Sequence, residues 1–321
     1  MPGAILVSDW IEARFGEALR RAAPGRPLAV LRGAELEGEA ASVEVAFFSG
    51  DLFPDRARDL ARALHQAPAL RWFHSFAAGV DHPWFQRFLA RGVRVTTSSG
   101  ASAVPIAHTV MLYVLALARD LPAWLGEQAA RRWSPRPIEH VTGQTIGVAG
   151  LGPIGLEVAR LASGFGMRVV GFRRSPRGDE PCETHRLADL DAFLPRLDWL
   201  VLALPLAEET RHLLDARRLA LLPPRARVIN VGRGALADEA ALAVALAEGR
   251  LAGAALDVFE VEPLPAESPL WSLPNVILTP HSSGTNPGNH LRAAEIFVEN
   301  LARYERGEPL RNEVGARPEV P

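Results

Sequence analysis

Short apolar runs alternate with amphipathic stretches from the first residues of the chain. Residues 4–8, 27–31, 45–48, 70–74 and 93–96 read as strands, and helical periodicity between them predicts helices over 11–22, 55–65 and 83–91. Strands that alternate with helices imply a parallel sheet covered on both faces. A second series follows an apolar helix over 102–118 and a connection over 121–141 rich in Trp, Arg and Pro. Its strands are expected over 145–149, 168–172, 199–204, 226–231, 253–258 and 276–279, a doubly wound dinucleotide-type sheet of six strands. Asp238 can cap a helix running to Glu248, with Gly249 where a left-handed C-terminal cap is wanted. A last amphipathic helix over 289–306 lies beyond the sixth strand and is expected to pack back on the N-terminal series, with a surface tail from Gly315 onward. The expected domains are therefore a discontinuous one, 1–100 with 289–321, and a dinucleotide-binding one, 101–288.

Composition narrows the chemistry. A chain of 321 residues favours two domains. A net charge of -2 provides no field for nucleic acid or an anionic membrane, so neither is expected as a partner. The apolar window 101–118 is interrupted by Pro105, His108 and Thr109, and reads as a buried helix rather than a membrane span. The N-terminus lacks the basic start and long apolar core of a signal peptide, and the lone cysteine, Cys182, excludes an internal disulfide and a cysteine-cluster metal site, which together suggest the cytoplasm. No metal is expected. All 35 basic side chains are arginine, which excludes Schiff-base, pyridoxal phosphate and phosphate-loop lysine chemistry.

The strand at 145–149 runs into Gly150, Gly152 and Gly155 in GLGPIG, and a helix follows. Placed so, the glycines permit a tight turn, backbone approach to a pyrophosphate and close helix–strand packing, while the helix N-terminus offers free N–H groups to phosphates. The next strand ends in Arg173, Arg174 and Ser175, where an NAD-preferring site places an acid against the ribose 2'-hydroxyl. Guanidinium groups there would instead bind a 2'-phosphate, which predicts NADPH as preferred cofactor and NADH as second choice.

Three later segments end strands in polar residues: VINVGRG with Arg233, DVFEVEPL with Glu262 and LTPHSSG with His281. With VAGLGPIG and the earlier FAAGVDH, their order and spacing resemble the D-isomer-specific 2-hydroxyacid dehydrogenase family over nearly the whole chain. The resemblance implies a Rossmann cofactor domain plus a smaller flavodoxin-like α/β substrate domain, and reduction of a small 2-oxo acid, glyoxylate or hydroxypyruvate, to the D-2-hydroxy acid. It assigns Arg233 to the substrate carboxylate and carbonyl, His281 to the proton donor and Glu262 to the carboxylate that pairs with His281 and favours its charged form, roles within the reach of these residue types.

The same resemblance places Ala78 and Gly79 in a loop whose amides receive the substrate carboxylate, and Phe48 and Ser49, following the third strand, are expected to line the same pocket. It places Pro153, Ile154, Leu204, Pro205, Thr210, Val231, Gly232, Asp257 and Ser283 along the cofactor, Asp257 either accepting from the nicotinamide carboxamide or capping a turn. Ala107 stands where many relatives carry Glu, so His108 is expected to be a packed helix residue. Trp124 and Trp133 fall in the segment that crosses a dimer interface in relatives, and a homodimer is expected. Competing readings are a formate or phosphite oxidiser, against which the carboxylate at 262 argues, a short 3-phosphoglycerate dehydrogenase, and a nucleotide-sensing corepressor on the same fold.

Overall fold

The computed structural model describes residues 2–79, 83–286 and 288–315; Val80, Asp81 and His82 of the FAAGVDH segment, and the tail after Gly315, lie outside them. The chain divides into two compact units, Met1–Ala101 with Asn286–Pro321, and Ser102–Thr285. Ala101 and the residues just before 289 thus fall in the first unit.

In the first unit the elements are β1 (Ala4–Ser8), α1 (Asp9–Ala22), β2 (Leu28–Arg32), β3 (Glu35–Glu37), β4 (Val43–Phe48), α2 (Ala57–His65), β5 (Trp72–Ser75), α3 (Pro83–Ala90), β6 (Arg94–Thr97) and the last helix of the chain, α9 (Gly288–Glu305). The strand order β3-β2-β1-β4-β5-β6 is that of a flavodoxin-like sheet with an antiparallel edge strand added. Every residue of β1 is buried, as a central parallel strand covered on both faces requires. Ser8 ends it and caps α1, its hydroxyl accepting from Ile11 N–H at 3.2 Å. One face of the sheet packs on α1 and α9, where Phe47 and Phe297 stack at 4.5 Å; on the other face Phe73 stacks on Phe88 of α3 at 4.6 Å.

The second unit comprises α4 (Ala103–Ala118), α5 (Leu121–Ala129), β7 (Thr145–Ala149), α6 (Pro153–Gly164), β8 (Arg168–Arg173), β9 (Glu183–Arg186), β10 (Trp199–Leu202), α7 (Ala216–Leu219), β11 (Arg227–Asn230), α8 (Glu239–Ala247), β12 (Gly253–Leu256) and β13 (Val276–Leu278). Its sheet is wholly parallel with order β13-β12-β11-β10-β7-β8-β9. Chain order reverses beside β7, the topological switch point at which open α/β sheets bind ligands. The sheet has seven strands rather than the six expected. The extra one, β9, reads ETHR and is half-exposed at an edge, so it carries none of the apolar signal of its neighbours.

Two other expectations need correction. Part of the supposed connection over 121–141 is helical: α5 starts with Pro122 in its first turn, a position that spares a hydrogen bond. His108 is exposed and not packed, because the turn of α4 that buries Ala107, Val110 and Met111 points the intervening residue outward. Asp238 and Gly249 behave as expected: the carboxylate accepts from Ala241 N–H at 2.9 Å, and Gly249 has φ +68°. Among the described residues, no single helix is long and apolar enough to cross a membrane.

Candidate active site

The glycine loop follows β7 at the switch point. Gly150 has φ +104°, a conformation costly for other residues, and a Cβ there would stand 2.7 Å from the Ala203 carbonyl oxygen. A Cβ on Gly155 would collide with the Gly150 carbonyl, so helix and strand approach as closely as backbone permits. Gly152 differs, since a Cβ on it would meet nothing within 4 Å. No protein atom demands glycine there, and the open space lies at the N-cap of α6, where no side chain caps the first N–H groups. Pro153 is exposed and Ile154 half-buried beside this opening. Uncapped N–H groups, the helix dipole and room for a ligand suit a pyrophosphate.

At the end of β8, Arg173 is half-buried and ion-paired to Glu180 at 2.8 Å. Burial raises the Glu180 pKa, but the Arg177 and Gly178 N–H groups and the Arg173 guanidinium outweigh it and hold the carboxyl at about 2. Arg174 is exposed and ion-paired to Glu209, and Ser175 is exposed. The sequence shows no acid at 172–175, yet each arginine meets one brought from elsewhere by the fold. Leu204 packs against the core and Pro205 is exposed. Thr210 is buried, its hydroxyl tied within its own turn to the Pro205 carbonyl at 2.9 Å and to Ala207 N–H at 2.8 Å.

Arg233, Glu262 and His281 leave the carboxyl ends of β11, β12 and β13. Beyond buried Val231, Gly232 N–H donates to Asn230 Oδ1 at 3.1 Å, and Asn230 Nδ2 holds the Arg233 carbonyl at 2.9 Å. Gly234 lets this turn press on the next strand's exit, since a Cβ would collide with the Phe259 backbone. Glu262 uses Oε1 to accept from Phe259 N–H at 3.0 Å and presents Oε2 to His281 Nδ1 at 2.7 Å. With Nδ1 so engaged, Nε2 is the ring nitrogen left for another partner.

His281 has φ +49°, uncommon for a residue with a side chain. Its N–H donates to the Asp257 carbonyl at 2.8 Å, and the Asp257 carboxylate accepts from Ser282 N–H at 2.9 Å, Ser283 N–H at 3.0 Å and Thr279 Oγ1 at 2.6 Å. Thr279 in turn bonds the Tyr113 hydroxyl of α4 at 2.5 Å, and burial pushes that phenol up to about 12. Of the two roles considered for Asp257, this geometry provides the turn cap: the buried carboxylate shapes the loop that carries His281. The spacing of TPH hints at the turn; nothing in the sequence links it to Asp257 or Tyr113.

In the first unit, Ala78 is exposed and Gly79 half-exposed just beyond β5. Phe48 and Ser49, expected at the pocket, are buried: Phe48 packs edge-on against Phe76 at 5.2 Å and Trp84 at 5.8 Å, and Ser49 bonds Ser8 at 3.2 Å.

Residues 111–283 match the family model described as D-isomer specific 2-hydroxyacid dehydrogenase, NAD binding domain. Among curated proteins, a glyoxylate reductase of Korarchaeum cryptofilum is 35% identical over 255 residues, 77% of each chain. Among solved structures, a D-isomer specific 2-hydroxyacid dehydrogenase from Xanthobacter autotrophicus in complex with NADPH and MES is 36% identical, with a TM-score of 0.79 and 98% of each chain covered. An NADPH-dependent glyoxylate/hydroxypyruvate reductase from Sinorhizobium meliloti in complex with NADP is 32% identical, with a TM-score of 0.77 over 97% of this chain and 98% of that one. Together with the glycine loop and the Glu262–His281 pair, these likenesses lead to one conclusion: the chain belongs to the D-isomer-specific 2-hydroxyacid dehydrogenase family and is an NAD(P)-dependent oxidoreductase of 2-oxo and 2-hydroxy acids.

Proposed function

We propose that the protein reduces glyoxylate or hydroxypyruvate with NADPH in preference to NADH, using Arg233, Glu262 and His281. The observation that carries this reading is the 2.7 Å contact between Glu262 Oε2 and His281 Nδ1, on the sheet edge that also carries Arg233. Glu262 takes the N–H of Nδ1, so the exchangeable proton sits on Nε2, from which it passes to the substrate carbonyl oxygen. The Arg233 guanidinium holds the carboxylate and polarises the same carbonyl. A nicotinamide cofactor on the glycine loop supplies the hydride. The reverse reaction uses neutral His281 as base.

Gly150, Gly152, Pro153, Ile154 and Gly155 cradle the pyrophosphate in this reading. Arg173, Arg174 and Ser175 receive the 2'-phosphate; Leu204, Pro205, Thr210, Val231, Gly232, Asp257 and Ser283 shape the remainder of the cofactor groove. Ser102–Thr285 acts as the cofactor domain. The other unit acts as the substrate domain, with Ala78 and Gly79 offering backbone N–H groups to the carboxylate. The relatives named above support the substrate class, and two of them were solved with NADPH or NADP. We further place the enzyme in the cytoplasm as a homodimer. Exposed Leu112, Leu121, Trp124 and Leu125 and a Trp133 that is 96% exposed supply the apolar surface that a second copy would cover.

The test is steady-state kinetics with both cofactors on glyoxylate, hydroxypyruvate, pyruvate and bulkier 2-oxo acids, with formate oxidation as the contrary arm. Highest kcat/KM for the two small acids with NADPH is expected. Turnover of formate alone would overturn the substrate class.

A further inference from the structure

His74, in β5, is wholly buried in the first unit, its ring 5.3 Å from Phe47, 5.5 Å from Phe297 and 6.2 Å from Trp72. Nδ1 lies 2.6 Å from Thr96 Oγ1 and Nε2 3.0 Å from Ser98 Oγ. The ends of this hydrogen-bonded chain fix its protons. The Trp72 indole N–H can only donate and does so to Thr96 Oγ1 at 2.8 Å, which leaves the hydroxyl its own proton to give to a neutral ring at Nδ1. The Ser75 carbonyl can only accept and takes the Ser98 hydroxyl proton at 2.9 Å, so Ser98 Oγ receives from Nε2–H. Burial keeps the ring neutral, so the single proton it carries is the one on Nε2 that Ser98 receives. Burial depresses its pKa to about 3, against a smaller opposing pull from the Ala293 carbonyl.

The same residues hold the loop that follows. Ser98 N–H donates to the Ala77 carbonyl at 3.2 Å, and Ala77 N–H donates to Ser75 Oγ at 3.2 Å. Ala77 immediately precedes Ala78 and Gly79. A phenylalanine would fill the same aromatic hole without the cost of burying a polar ring, so the hydrogen bonds are what histidine adds.

We propose that His74 is a positioning residue for substrate binding: a neutral imidazole that, through Ser98, sets the aim of the Ala77–Gly79 amides. This rests on the reading that the loop receives the substrate carboxylate. Glyoxylate and NADPH kinetics of His74→Phe, His74→Gln, Ser98→Ala and Ala78→Glu test it. His74→Phe and Ser98→Ala should raise the KM for glyoxylate about tenfold, the worth of one hydrogen bond, with kcat and the KM for NADPH unchanged. His74→Gln, which keeps a donor and an acceptor, should restore the KM, and the nitrogen-15 shifts of His74 should report the Nε2–H tautomer at pH 5. If His74→Phe fails to fold, Ser98→Ala decides. An unchanged glyoxylate KM, or parallel losses in kcat and both KM values that Gln does not rescue, would overturn the inference. Ala78→Glu separates the two layers, because a carboxylate at this exposed position repels the substrate if the loop receives it. Its silence would defeat the loop reading itself, whereas a raised KM there beside silent His74 and Ser98 variants would defeat only the role of His74.

Discussion

Two histidines near strand ends in this molecule have opposite surroundings. His281 is half exposed, held in a left-handed turn after β13, with a carboxylate on Nδ1. His74 is wholly buried in β5 with hydroxyl groups on both nitrogens. A carboxylate on Nδ1 orients a half-exposed imidazole; hydroxyl partners in an apolar core hold a buried one neutral. The difference teaches that position near a strand end does not by itself decide what a histidine can do. On the proposed reading the first delivers a proton and the second orients what is bonded to it.

The sharpest way to break this contrast is to remove each ring. His281→Ala should lower kcat about 10³-fold, within the range of general acid catalysis, with folding intact by circular dichroism; near-normal turnover would strip His281 of the donor role. Glu262→Gln keeps the shape but not the charge. Its kcat should fall about tenfold to a hundredfold, with a shifted pH–rate profile, since an amide supports the Nδ1–H less well than a carboxylate. An unshifted profile would make Glu262 a structural partner of the Phe259 turn only.

The parts of the site that are local in sequence were legible. Gly150 and Gly155 announce themselves because a tight turn and a close helix contact each exclude a Cβ within six residues of chain, and Gly152 opens the helix between them. The buried strands β1, β7 and β10 are continuous apolar runs. What escaped was long-range or polar. The edge strands β3 and β9, ELE and ETHR, are sparsely apolar because little covers them. Glu180 and Glu209 meet Arg173 and Arg174 only after the chain has turned back, so the lack of an acid at 172–175 does not leave the arginines without one. The sequence leaves Asp257 equally a ligand or a cap, because the N–H groups it accepts from lie 25 and 26 residues further along the chain.

A third measurement sharpens the cofactor side. Arg173→Asp should lower the NADPH/NADH ratio of kcat/KM about tenfold to a hundredfold, the worth of a charge-assisted hydrogen bond. Glu180 already shares the guanidinium through Nη1, so on the proposed reading Arg174 and Ser175 carry part of the discrimination. An unchanged ratio would remove Arg173 from the 2'-phosphate site.

The last comparison returns to His74 and concerns stability rather than rate. Its folded pKa of about 3 lies below the unfolded value of 6.5. Above pH 6.5 the ring is neutral in both states and the difference costs nothing. Below it the unfolded chain binds a proton that the folded core refuses, so each unit of pH should remove about 1.4 kcal/mol of stability until the folded pKa is reached. Urea unfolding between pH 6.5 and 5 isolates this slope, because Glu180 and the other carboxylates lose their stabilising charge chiefly below that window. His74→Gln should flatten the slope whatever it does to stability at pH 7, and the remaining histidines cancel in the comparison. Equal slopes in the two proteins would mean that His74 takes up its proton in the folded state, and with it the contrast to His281 would fail.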